Sequence, residues 1–182
     1  IVMCADNGIV KEGISQSGQE VTLAVAQSMG RHESSVCRMA SASHTDVIPV
    51  DIGIAASCKI DGVLDEKIAC GTRNFAKEPA MTEKETLDAI DTGVRLVKQC
   101  KENGYQILAT GEMGIGNTTT SSAVTAALLH RLAFLSLAHH LSGQSLWDLQ
   151  HTCGASKHGI LDVRIRTLKA SPIRRLLDPP CE

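Results

Sequence analysis

Aromatic residues are nearly missing from this chain of 182 residues: two Phe, one Trp and one Tyr. So little aromatic surface leaves few platforms for stacking nucleobases. No sign of charge dominates either. The net charge is -2, which gives no electrostatic case for a nucleic-acid partner. The sequence holds no apolar run long enough to span a bilayer and no basic-then-apolar leader, so no membrane association is expected. It has no internal repeat. Its seven cysteines are Cys4, Cys37, Cys58, Cys70, Cys100, Cys153 and Cys181. They form no C-x-x-C pair and their number is odd, which reads as free thiols in a reducing cytoplasm rather than a disulfide framework. His139-His140 completes no metal site, because adjacent residues on a helix point apart and no Cys or acid lies close by; no metal is expected.

What is present is an alternation of strand-like and helix-like segments. Ile1–Ala5 reads as a buried strand, and an apolar start without methionine reads as a strand entered midway, with residues expected upstream. Ser17-Gly18-Gln19-Glu20 has capping-box spacing and predicts a helix to about Met29, ended by Gly30. A short helix is predicted over Ser34–Ala42. Thr45–Ile54 reads as a second buried strand, with Pro49 marking an irregularity. Gly71–Ala80 is a loop. Thr82-Glu83-Lys84-Glu85 is another capping box, followed by Leu87, Ile90, Val94 and Val97 at helical spacing and closed by Gly104. Tyr105–Ala109 reads as a third strand. Such alternation argues for an α/β fold, a parallel sheet flanked by helices in a three-layer, Rossmann-like arrangement.

The most informative stretch follows: Gly111-Glu112-Met113-Gly114-Ile115-Gly116-Asn117-Thr118-Thr119-Thr120, which opens a helix running to about Leu129. A glycine-rich bend between strand and helix is the setting for an anion at a helix N-terminus, where the first amides lack internal partners and the helix dipole is positive. Gly114 and Gly116 leave the backbone open to close approach, and Asn117 and Thr118 add donors or a cap. These four residues are the phosphate-binding candidates; an ordinary capped turn would share their geometry. Glu112 is the unusual member. A phosphate repels a carboxylate, so Glu112 is expected to serve another part of the ligand. Asp6-Asn7-Gly8 reads as a turn with Gly8 at positive φ. Arg73, Asn74 and Lys77 could lend charge to a phosphate or a dimer partner, or lie in a solvated loop.

The sequence changes character after Leu129. Five of the seven histidines lie from His130 onward, with the single Trp147. From Arg131 there are seven basic residues against four acidic, whereas the part before has eleven against sixteen. Residues 1–130 are therefore expected to form the α/β core and 131–182 a divergent tail, with a helix reading for Leu132–Leu141 and a strand reading for Ile160–Leu168.

Three stretches, in order, carry a resemblance: Val2–Val10 through Glu12-Gly13, Gly71–Met81, and Gly111–Thr120. Together they resemble the nicotinate-nucleotide–dimethylbenzimidazole phosphoribosyltransferases of cobalamin nucleotide-loop assembly. The resemblance covers roughly Ile1–Leu129. It implies transfer of phosphoribose from nicotinate mononucleotide to 5,6-dimethylbenzimidazole, with no cofactor, by a cytoplasmic homodimer. It implies that Glu112 contacts substrate in an assisting catalytic role, and that Ser17, Met113 and Ile115 line the base pocket. The family commonly has Asp-His-Gly where this sequence has Asp6-Asn7-Gly8. The family's principal catalytic base is a glutamate far toward the C-terminus, and Glu182 stands in no matching motif. The sequence thus predicts the family's fold with part of its site and impaired turnover. The rival from another class is a non-catalytic nucleotide-binding or interaction domain on the same sheet. A dinucleotide enzyme is disfavoured, because no G-x-G-x-x-G follows the first strand.

Overall fold

The computed structural model describes residues 1–129. The tail readings over 131–182, including His139, His140 and Trp147, lie outside them. Four strands form one sheet in the order β3-β2-β1-β4, and every pairing is parallel. The strands are β1 (Val2–Ala5), β2 (Pro49–Gly53), β3 (Leu64–Asp65) and β4 (Gly111–Met113). The helices are α1 (Glu20–Gly30), α2 (Ser35–Ala42), α3 (Glu83–Glu102) and α4 (Asn117–Leu129), with a short 3-10 helix at Gly8–Glu12. Pro49 is tolerated because it opens β2, where its missing N–H interrupts no ladder. The register slips between Cys4 and Ala5, so β2 carries one extra residue, Ile52, at its carboxyl end.

Alternation along the strands sorts the two faces. Val2, Cys4 and Met113 face α1 and α2, in a core with Ala26, Met29, Cys37, Ile54 and Ile60. Met29 and Ile54 are almost wholly buried, and each such side chain stabilises the fold by about 1.5–3 kcal/mol. Met3 and Glu112 are register partners on the other face. The right-handed rule for parallel crossovers assigns α3 to that side, giving helices on both faces. A second cluster joins Ile9, Phe75 and Ala123, so the 3-10 helix, the middle loop and α4 pack on one another.

Local chemistry explains where helices begin. Thr82 accepts from the Glu85 amide and the Glu85 side chain accepts from the Thr82 amide, so both halves of the expected capping box form. Ser34, expected as the first residue of the short helix, is instead the cap of α2. The structure corrects other expectations. Ser17 does not cap α1: Gln19 holds that position without a side-chain bond, and Glu20 turns back to accept from the Gly18 amide. Gly30 is the last residue of α1, as expected, but it has no positive φ. His32 takes that conformation, while a side chain on Gly30 would collide with the Asp61 carbonyl at 2.1 Å. Gly8 likewise lacks a positive φ; a Cβ there would meet the Thr72 carbonyl oxygen at 2.4 Å. Finally, Tyr105–Ala109 is not a strand. The strand is Gly111–Met113, because pairing with β1 decides which residues ladder, and Ile107 is left exposed. On α3 the buried line is Thr92, Leu96 and Cys100, not the expected stripe ending at Val94 and Val97. Val94 lies about 200° around the helix from Leu96.

Candidate functional site

The chain reverses direction across the sheet at β1. β2 and β3 lie to one side of it and β4 to the other. In open parallel sheets ligands bind outside the carboxyl ends of the strands at such a switch point. Here that point is bounded by Asp6 and Asn7 after β1 and by Gly114, Ile115 and Gly116 after β4.

Long-range hydrogen bonds build it. Asn7 is buried. Its Nδ2 donates to the Ile115 carbonyl at 3.2 Å, and its Oδ1 accepts from the Thr120 hydroxyl at 2.9 Å. The Ile115 amide donates to Oγ1 of the fully buried Thr22 on α1 at 3.1 Å. Gln19 Nε2 donates to the Asn7 carbonyl at 3.3 Å. Asp6 is 2% exposed. Its Oδ2 accepts from the Ala55 amide at 2.8 Å, while Oδ1 has no partner among the described residues. The Thr72 amide donates to the Asp6 carbonyl and the Gly8 amide to Thr72 Oγ1, which ties the middle loop to the end of β1.

Beneath this lies a buried ion pair. Asp51 Oδ1 accepts from the Gly53 and Ile54 amides, and Oδ2 meets Lys67 Nζ at 2.9 Å. Lys67 spends its other donors on the Ile54 and Ala56 carbonyls, both at 2.7 Å. The ammonium therefore fixes the loop whose Ala55 amide holds Asp6.

The two glycines of the bend have an inward role. A Cβ on Gly114 would lie 2.2 Å from the Ala5 carbonyl oxygen, and one on Gly116 2.9 Å from Val10 Cγ2. Gly116 also needs its φ of +84° to turn the chain into α4. The amides of Thr118 and Thr119 have no acceptor among the described residues, as expected in a first helical turn. Asn117 donates its own amide to the Gly114 carbonyl, and its Oδ1 lies 3.5 Å from the Thr118 hydroxyl.

Glu112 sits within β4 rather than in the bend, on the sheet face opposite Met113. Its surface is exposed, yet surrounding protein desolvates the carboxyl enough to raise its pKa above the ordinary value. Met113 and Ile115 lie on the α1 side: Met113 packs on the core and Ile115 is held by both its N–H and its carbonyl. Ser17 is exposed, and its amide donates to Ser15 Oγ. Arg73 is fully engaged, bidentate on Glu85 and bonded to the Pro79 carbonyl. Asn74 and Lys77 both turn to Glu12. None of the three is directed at the bend. No cluster of metal-ligating side chains occurs among the described residues, and none of their helices is long and apolar enough to cross a membrane. A groove of about 610 Å³ lies along α3, lined by Lys67, Thr92, Arg95 and Lys98 among others, and includes none of the predicted site residues.

A family model described as phosphoribosyltransferase matches residues 1–144. The chain belongs to this phosphoribosyltransferase family. Similar members include the nicotinate-nucleotide–dimethylbenzimidazole phosphoribosyltransferase of Ruminiclostridium cellulolyticum, 44% identical over 129 residues, which are 71% of this chain and 37% of that protein. The same-named enzyme of Geobacter metallireducens is 42% identical over 148 residues, 81% of this chain and 38% of that protein. Among solved structures, that of CobT from Thermus thermophilus superposes with a TM-score of 0.69 at 30% identity, covering 95% of this chain and 58% of that one. The chain thus spans under two-fifths of the length of these curated phosphoribosyltransferases. The α/β reading and the family resemblance both hold. Sequence reasoning missed the roles of Thr22 and Thr120. Their partners lie 93 and 113 residues away, so no local signal marked them.

Proposed function

We propose that this chain carries the nucleotide side of a phosphoribosyl transfer from nicotinate mononucleotide to 5,6-dimethylbenzimidazole, giving α-ribazole 5′-phosphate and nicotinate. The observation that carries the reading is the pair of amides at Thr118 and Thr119 with no acceptor among the described residues, at the sheet's switch point, one bend away from a partly desolvated Glu112. In this reading Gly114, Gly116, Asn117 and Thr118 surround the phosphate, bound by main-chain donors and the positive end of α4. Ser17, Met113 and Ile115 line the base pocket. One azole nitrogen attacks ribose C1′ with inversion while the azole N–H proton passes to a carboxylate. The C1′–nicotinate bond breaks, and its electron pair neutralises the pyridinium. A raised pKa suits Glu112 to hold that proton, because proton transfer is most effective when the acceptor's pKa approaches working pH. The protein otherwise contributes alignment and exclusion of water.

The reading extends to a cytoplasmic homodimer whose family-like core ends near residue 130. Free thiols at Cys58 and Cys70, both exposed, fit a reducing compartment. Exposed Met39 and Ile107 are apolar surface available to a partner copy. Light scattering tests the dimer, and a monodisperse monomer at micromolar concentration contradicts it.

Calorimetric titration tests the substrate assignment. The chain is expected to bind nicotinate mononucleotide, and Glu112→Gln to weaken dimethylbenzimidazole binding more than nucleotide binding. Equal losses for both ligands, or none, would overturn the role given to Glu112.

A further inference from the structure

Asn7 follows the first strand, yet its side chain ends on the bend after the fourth. It bonds the Ile115 carbonyl through its donor and the Thr120 hydroxyl through its acceptor. Those partners are 108 and 113 residues away in sequence. Gly114 leaves the space this needs, since a Cβ there would stand 2.9 Å from Asn7 Nδ2. Thr22 grips the same residue, Ile115, by its N–H. Ile115 is therefore clamped through the peptide groups on either side of it, from α1 by its N–H and from the end of β1 by its carbonyl. Two residues beyond it begins α4, whose Thr118 and Thr119 amides have no acceptor among the described residues.

We propose that Asn7 is a positioning residue that sets selectivity for a phosphorylated over an unphosphorylated ribosyl ligand. It acts through the Ile115 peptide and Thr120, holding the first turn of α4 so that its free amides keep one direction. This rests on the phosphate reading given above. The amide group suits the task because it offers one donor end and one acceptor end without charge at any working pH. An aspartate would keep the bond from Thr120, lose the bond to Ile115, and place a negative charge beside the anion. A neutral imidazole can donate from one nitrogen and accept at the other, but loses the acceptor on protonation. The Thr120 hydroxyl has a single proton, and its alternative acceptor is the Gly116 carbonyl at 3.4 Å. Without Asn7 that hydroxyl falls back within α4, and the bend is held by Thr22 alone.

The test uses the full chain and its Asn7→Leu, Asn7→Asp, Asn7→His and Thr120→Val variants. Each is titrated with nicotinate mononucleotide and with nicotinate riboside, which lacks the phosphate. Amide hydrogen exchange is followed across residues 115–119. Asn7→Leu is expected to weaken the nucleotide about tenfold, the scale of losing a net hydrogen bond or two, and to leave the riboside within about twofold. Exchange over 115–119 should quicken while β1 and β2 stay protected. Asn7→His should recover nucleotide binding at pH 8 and lose it at pH 5.5. Thr120→Val removes the same clasp from its other end, and carries the test if Asn7→Leu fails to fold. Equal losses for nucleotide and riboside, or unchanged exchange over 115–119, would overturn the proposal while leaving the phosphate reading intact. A wild-type chain that does not prefer the nucleotide removes the phosphate reading and this proposal with it.

Discussion

Replacing Lys67 by Met keeps most of the aliphatic stem and deletes the ammonium. Three acceptors then lose their donor: Asp51 Oδ2 at 2.9 Å and the carbonyls of Ile54 and Ala56 at 2.7 Å. Asp51 is the critical one, because only 5% of its side chain is exposed. Breaking a buried ion pair by removing one partner typically costs about 3–5 kcal/mol. The Lys67 side chain is one-fifth exposed, so water partly replaces it and the lower end applies, about 3 kcal/mol. For a domain of this size that is a fall of ~10 °C in Tm. Urea unfolding followed by circular dichroism measures the loss directly. Asp51→Asn alone should also destabilise, and the double variant should recover part of the loss, because a neutral amide no longer needs the cation. A Lys67→Met penalty below about 1 kcal/mol would refute the reasoning, since that is the worth of an exposed pair. So would strict additivity in the cycle.

Three further outcomes follow from the geometry. Glu85 is pushed down to about 2, first by the Arg73 guanidinium and then by the Thr82 amide; its stabilisation is present above the ordinary carboxylate pKa and lost as pH falls from about 4.5 toward 2. A quarter of that side chain is exposed, so the contribution is about 1 kcal/mol after screening, and Glu85→Gln should flatten the pH dependence of the unfolding midpoint in that window. Gly114→Ala places a methyl against the Ala5 carbonyl and should cost about 1–3 kcal/mol, read by denaturation; a neutral result would show that the bend sits further from β1. Burial raises the Cys4 thiol to about 11, so thiol reagents at pH 8 should label Cys58 and Cys70 well before Cys4, and equal labelling rates by peptide mapping would contradict the buried position.

The fold was readable wherever its cause was local. Ser34 and Thr82 cap helices by reaching three residues ahead, so a short window of sequence contains the whole interaction. Ser17 and Glu20 have the same spacing but Gln19 stands at the helix start, because Glu20 found a nearer amide at Gly18. Strand limits depended on partners. Tyr105–Ala109 looks more strand-like than Gly111–Met113, yet β1 ladders with the latter. β3 is two residues long and carries no pattern at all. At the site, the bend into α4 was visible as glycines followed by Asn117 and Thr118, whereas the Asn7 contacts bridge more than a hundred residues and leave no local trace. Arg73 shows the converse: a cation that looked available to a ligand is committed to Glu85.

The inward orientation of the two bend glycines bears on how the site can be probed. Alanine at Gly114 or Gly116 strikes β1 or the 3-10 helix before it reaches any ligand, so a glycine scan would report folding and be mistaken for lost recognition. If the recognition elements are main-chain N–H groups, no side-chain library can remove them. An amide-to-ester exchange at Thr118 or Thr119, installed by semisynthesis, deletes one donor while keeping every side chain and the Gly116 turn. In the proposed reading the anion's contacts would belong to the chain's backbone chemistry, and substitution at Asn117 or Thr118 would report on the start of α4 rather than on affinity.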